Sequence, residues 1–267
     1  MRYGVVIPAG DPRTVAGLAR EAEETGWDGV FTWDGIYAGD TMPVYDPWVV
    51  MAGMAMATER VRIGAVLTPL SRRRPWKVAR ETVTLDHLSN GRLVLPVGLG
   101  AVDTFGKVGE ETDRRTRAEL LDESLAILNG LWSGEPFRFD GEHYHLDEMT
   151  FLPRPVQTPR IPIWVVGRWG SERSMRRVIA CDGILIEGLD VEQIPEMIAY
   201  VSEHRTSTIP FDVVAEGETP GEDPEGAAEI IRPLAGAGVT WWLETRWSEP
   251  NTPEDVRERI RQGPPGV

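Results

Sequence analysis

The residues best suited to chemistry lie at 163–171, where a short apolar run ends in glycine just before a predicted helix. The apolar run reads Ile-Pro-Ile-Trp-Val-Val from residue 161, and residues 167–171 read Gly-Arg-Trp-Gly-Ser. A strand that ends in a glycine turn before a helix presents free backbone N–H groups and the positive end of the helix dipole. The segment therefore predicts a binding site for an anionic group.

Two acidic residues at other predicted strand ends are candidates for proton transfer. Asp34 follows the second predicted strand, and Glu187 ends the sixth. A carboxylate partly removed from water at such a place can act as a general acid or base. Each could instead only cap a loop, and the sequence does not decide between the two. Trp33, beside Asp34, could stack on a flat ring.

Other catalytic arrangements find less support. The sequence has no Gly-x-Ser-x-Gly motif and no lysine at a strand end. The single cysteine, Cys181, follows a helix in an apolar context typical of a core residue. His143 and His145 would share one face of a strand and could hold a metal, but no third ligand is placed beside them. A polar hairpin is therefore the favoured interpretation, and we predict no metal site.

Strand-like and helix-like segments alternate along the sequence. The predicted strands lie at about residues 3–8, 29–33, 61–67, 92–97, 163–166, 183–187, 211–216 and 239–244. Eight strand–helix units in about 250 residues are typical of an α/β protein with a closed (β/α)8 TIM barrel. Residues 134–162 form a predicted insert before strand five. We predict one barrel domain over residues 1–267, with its active site at the C-terminal strand ends.

The same rule brings further residues into the predicted site. Thr68, Gly98 and Gly100 follow the third and fourth predicted strands, and Glu216 and Glu244 end the seventh and eighth. The resulting site is wide, apolar and aromatic, with one anion cradle and few groups able to act as a nucleophile. Such a site suits a planar phosphorylated cofactor that carries the reaction itself.

Composition limits the class of partner. Asp and Glu number 42 against 28 Lys and Arg, so the formal net charge is −14. A field of that sign repels nucleic acid and anionic membrane, so neither is an expected partner, and an anionic ligand needs a local basic pocket. With one cysteine, no signal-peptide pattern and no long apolar run, we expect a cytoplasmic protein.

Five segments form an ordered set of motifs. They are residues 22–34 (AEETGWDGVFTWD), 85–100 (LDHLSNGRLVLPVGLG), 115–132 (RTRAELLDESLAILNGLW), 139–146 (FDGEHYHL) and 153–172 (PRPVQTPRIPIWVVGRWGSE). In this order they resemble the bacterial-luciferase-like superfamily of flavin- and deazaflavin-dependent oxidoreductases, best over residues 3–187. The resemblance implies a (β/α)8 barrel with an insert near strand five and a cofactor ring lying across the strand ends.

The resemblance also assigns roles to individual residues. The implied phosphate-binding residues are Gly167, Arg168, Gly170 and Ser171, with Arg168 adding a charge-assisted contact. The implied ring-lining residues are Thr68, Gly98 and Gly100, and Trp169 is a further candidate for stacking on the ring. Many relatives carry Asp-His after strand two. Here the pair is Asp34-Gly35, so a proposed histidine acid/base is missing.

Several functions stay open from the sequence. One branch of the superfamily uses reduced FMN and oxygen to oxygenate a small organic substrate, with a separate flavin reductase as partner. The other branch uses coenzyme F420, which transfers hydride, and the acidic, arginine- and tryptophan-rich composition favours this branch. A non-catalytic flavin-binding barrel is the alternative that the missing histidine supports. A metal-dependent barrel hydrolase is a further alternative.

The resemblance implies a homodimer, since members of the superfamily often are dimers, and residues 49–56 support this expectation. They read Val-Val-Met-Ala-Gly-Met-Ala-Met, apolar nearly all round, which is unusual for an outer barrel helix that faces water. We expect the helices after strands two and three to form the contact, so a charged residue in place of Met54 should separate the dimer. Packing inside the monomer is the alternative.

Overall fold

The barrel is built from alternating strands and helices. The protein is represented by a computed structural model that describes residues 1–102, 105–247 and 252–266. In these ranges the strands are β1 Arg2–Val6, β2 Gly29–Thr32, β3 Arg62–Ala65, β4 Thr68–Pro69, β5 Leu95–Gly98, β6 Pro136–Asp140, β7 His145–Thr150, β8 Ile163–Gly167, β9 Gly183–Ile186, β10 Asp212–Gly217 and β11 Trp241–Glu244. The helices are α1 Pro12–Glu24, α2 Pro47–Ala57, α3 Pro75–Leu88, α4 Arg114–Trp132, α5 Glu172–Ala180, α6 Ile194–His204, α7 Pro224–Ala237 and α8 Pro253–Arg261.

Nine strands form one parallel sheet in the order β3-β2-β1-β11-β10-β9-β8-β5-β4. β3 and β4 together make the third barrel strand, interrupted at residues 66 and 67: β3 pairs with β2 and β4 pairs with β5. A parallel bridge between Ile63 and Leu93 joins β3 to the chain leading into β5 and closes the barrel. The predicted (β/α)8 barrel is confirmed, and the predicted insert contains the antiparallel β6–β7 hairpin.

Helix α1 shows how the sequence determines where a helix begins, which face it buries and where it ends. Asp11 accepts backbone hydrogen bonds from residues 13 and 14, and Pro12 occupies the first turn. Its buried residues recur at helical spacing and face the sheet, and Gly26 follows the helix with a φ of +93°. Most of the other helices begin in the same way, with proline in the first turn.

Aromatic rings fill the barrel interior. Phe31, Trp164 and Trp241 are fully buried, and their ring centroids lie 5.3–6.2 Å apart. They belong to a compact cluster of inward-facing residues separate from the larger core between sheet and helices. A Cβ at Gly29 would lie 2.7 Å from the Phe31 ring, and one at Gly183 would lie 2.5 Å from the Trp164 ring. These strands therefore need glycine where the rings pass.

Two carboxylates join distant motifs. Asp86 of α3 is fully buried and accepts hydrogen bonds from the backbone N–H groups of Val156 and Gln157, at 2.8 and 3.1 Å, and from the Gln157 amide. Glu123 of α4 accepts from three successive backbone N–H groups at residues 142–144, in the hairpin turn. Each carboxylate thus fixes part of the insert against a barrel helix, which explains why these motifs occur together.

The two histidines of the hairpin have different partners. His143 contacts Glu119 of α4 at 3.4 Å, and His145 contacts Asp140 across the hairpin at 2.6 Å. Among the described residues, no group of three His, Cys, Asp or Glu side chains is placed to hold a metal ion. Within the same ranges, every helix is too short or too polar to cross a membrane.

Cys181 is buried between α5 and β9, as the sequence predicts. Burial raises the pKa of its thiol to about 12. At pH 8 only roughly one thiol in ten thousand is then ionised, and the thiolate is the reactive form. We expect native protein at pH 8 to resist a disulfide reagent such as DTNB, while protein unfolded in urea reacts at one thiol per chain. Rapid labelling of the native protein would contradict this burial.

Candidate active site

A large cavity opens at the C-terminal ends of the barrel strands. Its volume is about 1450 Å3, and its walls come from the ends of β2, β4, β5, β8, β9 and β10 and from the first turns of α4 and α5. Its lining includes Trp33, Asp34, Arg72, Gly98, Gly100, Phe105, Arg168, Trp169, Gly170, Ser171, Glu187 and Glu216. The site therefore lies where the barrel rule places it.

Strand alternation decides which side chains reach this cavity. Val166, Leu185 and Val214 face the barrel interior with the aromatic cluster. Side chains two residues further along a strand lie on the same face. Arg168, Glu187 and Glu216 therefore form the next layer above the core, and all three line the cavity.

The cavity is basic although the protein is acidic. Six arginines line it against four carboxylates, whereas the whole chain has a formal charge of −14. Arg72, Arg115 and Arg177 are each paired with an acidic side chain. Arg114, Arg168 and Arg173 are exposed and form no ion pair with any described residue. This is the local basic pocket that an anionic ligand of this chain requires.

The anion cradle predicted at residues 167–171 is part of this wall. Helix α5 begins at Glu172 with Ser171 as its N-cap residue, and the Ser171 side chain makes no capping hydrogen bond. The backbone N–H of Arg168 donates to the Ser174 hydroxyl at 2.9 Å. Gly170 has a φ of +78°, and a Cβ placed on it would meet nothing within 4 Å. The turn thus presents a helix N-terminus to open space, as anion binding needs.

The two strand-end tryptophans are held by the protein itself. Trp169 packs edge-on against Tyr200 of α6, with ring centroids 5.5 Å apart. The Trp33 indole N–H donates to the carbonyl of Pro8 at 2.7 Å. A Cβ at Gly35 would lie 1.8 Å from the Trp33 ring. The Trp33 ring therefore occupies the space that any side chain at position 35 would need.

Asp34 is fully engaged by two arginines. Its carboxylate pairs with Arg72 at 2.5 Å and with Arg73 at 2.7 Å, and the Asp34 and Arg72 side chains are only 1% and 4% exposed. Burial alone would lower the pKa of Arg73, but its hydrogen bonds to Asp34 more than offset this and leave the pKa raised. These contacts favour a positioning role for Asp34 on the cavity wall, and its catalytic role stays a prediction.

A buried arginine supports the Gly98–Gly100 turn. Arg117 of α4 donates to the carbonyls of Leu99 and Gly100, and its guanidinium stacks on Phe105 with 4.7 Å to the ring centroid. A Cβ at Gly98 would lie 2.8 Å from Leu67. The turn is therefore held from outside the cavity and leaves Gly98 and Gly100 on the lining.

Two of the predicted cofactor-binding residues, Thr68 and Gly167, do not line the cavity. Thr68 pairs with Val97, which faces the outer core, so alternation points Thr68 away from the barrel axis and presents its neighbour Pro69 instead. The Thr68 hydroxyl is buried without a hydrogen-bond partner. Gly167 also faces outward, where a Cβ would lie 2.5 Å from Ile184 and 2.7 Å from Val178 of α5. Because Gly167 has no side chain, α5 can pack closely on the strand.

The remaining acidic residues at strand ends also differ in whether they line the cavity. Glu187 and Glu216 line the cavity, whereas Glu244 is buried on the outer face of β11. Glu244 accepts hydrogen bonds from the Thr219 backbone and hydroxyl and pairs with Arg259 at 3.2 Å. The cavity arginines on α4 and α5 were missed from the sequence. They could have been predicted from their positions in the first two turns of helices that follow strand ends.

A protein-family comparison identifies the chain. The model of a family described as luciferase-like monooxygenase matches residues 1–262. The chain belongs to the luciferase-like family. The resemblance inferred from its five motifs is confirmed.

Known sequences agree with this assignment. The luciferase-like chain is 35% identical over 160 residues to the F420-dependent glucose-6-phosphate dehydrogenase of Nakamurella multipartita, covering 58% of this chain and 46% of that protein. It is 30% identical over 212 residues to an uncharacterized protein of Mycobacterium bovis, covering 72% of this chain and 74% of that one. The chain thus spans about half the length of the dehydrogenases that it matches.

Solved structures share the fold. An F420-dependent secondary alcohol dehydrogenase in complex with an F420-acetone adduct superimposes with a TM-score of 0.81 at 18% identity, covering 97% of this chain and 96% of that one. The F420-dependent tetrahydromethanopterin reductase of Methanopyrus kandleri gives a TM-score of 0.78 at 17% identity, covering 98% and 96%. At these identities the luciferase-like barrel is what the structures share.

We predict that Asp34→Asn destabilises the protein by about 3–5 kcal/mol, because it leaves two arginines beside an uncharged amide where the carboxylate is almost fully buried. Chemical denaturation measures this change. Asp140→Asn is the matched control: its carboxylate is 79% exposed and pairs with His145 at the surface, so we expect a loss below about 1 kcal/mol. Equal losses in the two variants would rule out a supporting role for the Asp34 pair.

Proposed function

We propose that this protein is an oxidoreductase that binds coenzyme F420 in the cavity and transfers hydride to or from a small organic substrate. The observation that carries this proposal is the basic wall beside α5. It offers an uncapped helix N-terminus and the exposed arginines 114, 168 and 173, which form no ion pair with a described residue. F420 carries a phosphate followed by glutamate carboxylates, and a polyanion of this kind matches several unpaired arginines.

The residues present fit such a cofactor. The turn at residues 167–171 would hold the phosphate through backbone N–H groups and Arg168. Gly98 and Gly100 would leave room for the flat ring on the cavity floor, and Trp33 lies at the edge of the same floor. When bound, F420 supplies the hydride acceptor or donor. The chain's own residues then orient the substrate, exclude water and handle a proton.

FMN is the second candidate. It has one phosphate, which the α5 N-terminus and Arg168 alone could hold. An FMN enzyme of this family would oxygenate its substrate and would need reduced flavin from a separate reductase. The additional arginines on α4 and α5 are the feature that favours F420 over FMN.

The substrate of the named relatives does not define the substrate class of this protein. The named dehydrogenases act on glucose 6-phosphate, but this chain aligns with only 46–53% of their length. At the ends of β9 and β10 the cavity presents Glu187 and Glu216, which disfavour a second anionic group there. The proposal therefore includes a small substrate without a phosphate at that wall, in a cytoplasmic enzyme.

A homodimer through α2 is also proposed. Val49 and Met56 lie seven residues apart on one helix face and are 64% and 72% exposed. Met54 is fully buried, so the expectation that a charge at Met54 would only split a dimer is wrong. Such a charge would instead disrupt the core.

We predict that the protein binds F420 and that Arg168→Ala weakens binding about 10- to 100-fold, through loss of a charge-assisted contact of about 1.5–3 kcal/mol. A bulky residue at Gly170 should have a similar effect by filling the cradle. Equilibrium dialysis with F420 and with FMN measures both affinities. Arg138→Ala, on the exposed hairpin strand β6, is the control and should leave binding unchanged. Tighter binding of FMN than of F420 would reject the proposed cofactor.

We predict that Val49→Glu and Met56→Glu each shift the protein from dimer to monomer at micromolar concentration, because each places a charge in an apolar contact. Sedimentation velocity measures the change, and F420 affinity should be unaltered since α2 lies outside the barrel. Ile230→Glu on α7 is the control, an equivalent change at another exposed apolar residue. A monomeric parent protein would exclude the dimer.

A further inference from the structure

Glu216 lies on the inner face of the barrel and lines the cavity. β10 pairs in parallel with β9 up to Val214, which belongs to the inward-facing barrel core. Glu216 lies two residues further along β10, so strand alternation places its side chain on the same face, above the core. Glu187, which follows the last residue of β9, lines the same cavity.

The surroundings of Glu216 favour proton uptake. Protein packed around the side chain raises the pKa of its carboxyl above its ordinary value, while the cavity keeps it open to solvent. On β9 its charged neighbour is Glu187, and on β8, one strand further, it is Arg168. At the end of β11, Arg246 lines a separate cavity. The arginines of α4 and α5 that line the same cavity belong to the basic wall.

The other two cavity carboxylates are already engaged. Asp34 accepts hydrogen bonds from two arginines, and Asp113 accepts from the backbone N–H of Thr116 as the N-cap of α4. Glu187 and Glu216 form no ion pair with any residue in the described ranges. Of the two, only Glu216 belongs to a strand, where its backbone pairs with Leu243 of β11.

We propose that Glu216 is the catalytic residue that takes up the substrate's proton. This role rests on the proposed hydride-transfer function. For a substrate with a hydroxyl on the carbon that is oxidised, the C–H bond breaks and its electron pair leaves as hydride to the deazaflavin. The O–H bond breaks, the C=O bond forms, and the proton moves to the Glu216 carboxylate. In the reverse reaction the Glu216 carboxyl returns that proton.

A first experiment needs no substrate. Protein labelled with 13C at the glutamate carboxyl carbons and loaded with F420 is titrated by NMR, and the signal missing in Glu216→Gln is assigned to Glu216. We expect this signal to titrate above the ordinary value of about 4.3, because burial raises the pKa of the Glu216 carboxyl. Glu229→Gln, on the exposed face of α7, should leave it unchanged. An ordinary midpoint for the Glu216 signal overturns the proposal.

Thermal unfolding gives an independent readout. Because the folded-state pKa of Glu216 is raised, the folded protein binds more protons than the unfolded chain between the two pKa values. The stability from this group is present below the unfolded pKa and is lost as pH rises through the folded pKa. The melting temperature of Glu216→Gln should therefore increase relative to that of the parent protein as the pH rises from the unfolded to the folded pKa of Glu216. A difference independent of pH counts against the role.

Turnover measurements distinguish a failure of the Glu216 role from a failure of the proposed function. Protein loaded with F420 is assayed with propan-2-ol, cyclohexanol and glucose 6-phosphate. We expect Glu216→Gln to lower kcat about 10²- to 10⁴-fold with unchanged F420 affinity, and Glu216→Asp to restore part of it. Unchanged kcat overturns Glu216 alone. Parent protein that binds F420 but oxidises no alcohol overturns the proton step, whereas parent protein that does not bind F420 overturns the proposed function itself.

Discussion

The packing of three aromatic rings inside the barrel is the constraint on which the rest of the structure depends. Phe31, Trp164 and Trp241 fill the lower part of the barrel and force glycine onto the strands that pass them. With this part of the barrel filled, an opening can exist only above the rings, at the C-terminal strand ends. The same rings fix which side chains face inward, and therefore place a tryptophan, an arginine and two glutamates in the layer above.

Buried or partly buried carboxylates fix the insert and the loop after β10 to the barrel. Asp86 and Glu123 attach the insert to α3 and α4 through backbone N–H groups, and Glu244 attaches the loop after β10. An unpaired backbone N–H in such places would be costly, so each carboxylate satisfies several donors at once. Much of the acidic excess thus serves the scaffold. The cavity can then be basic on the α5 side and acidic at β9 and β10 in a protein of strongly negative charge.

The sequence predicted the barrel and the glycine turn before α5 well because both follow from local signals. Alternating periodicity located all eight barrel strands, and the glycine turn before Ser171 marked the start of α5. Thr68 and Gly167 were misplaced as lining residues because which face a strand residue occupies depends on register, and the interruption between β3 and β4 is not visible as a pattern. The pairing of Asp34 with Arg72 and Arg73 was missed because its partners lie 38 and 39 residues away.

Packing of the Trp33 ring explains why residue 35 is glycine and not the histidine that the resemblance implies. The family resemblance implies a histidine acid/base at this position, but here the Trp33 ring fills that space and its indole N–H donates to the Pro8 carbonyl. A side chain at position 35 and this orientation of Trp33 exclude each other. The ends of β9 and β10 carry carboxylates that line the cavity, and Glu216 is the proton acceptor proposed among them. With an acceptor proposed there, the absence of a histidine at position 35 does not by itself favour a barrel without catalysis.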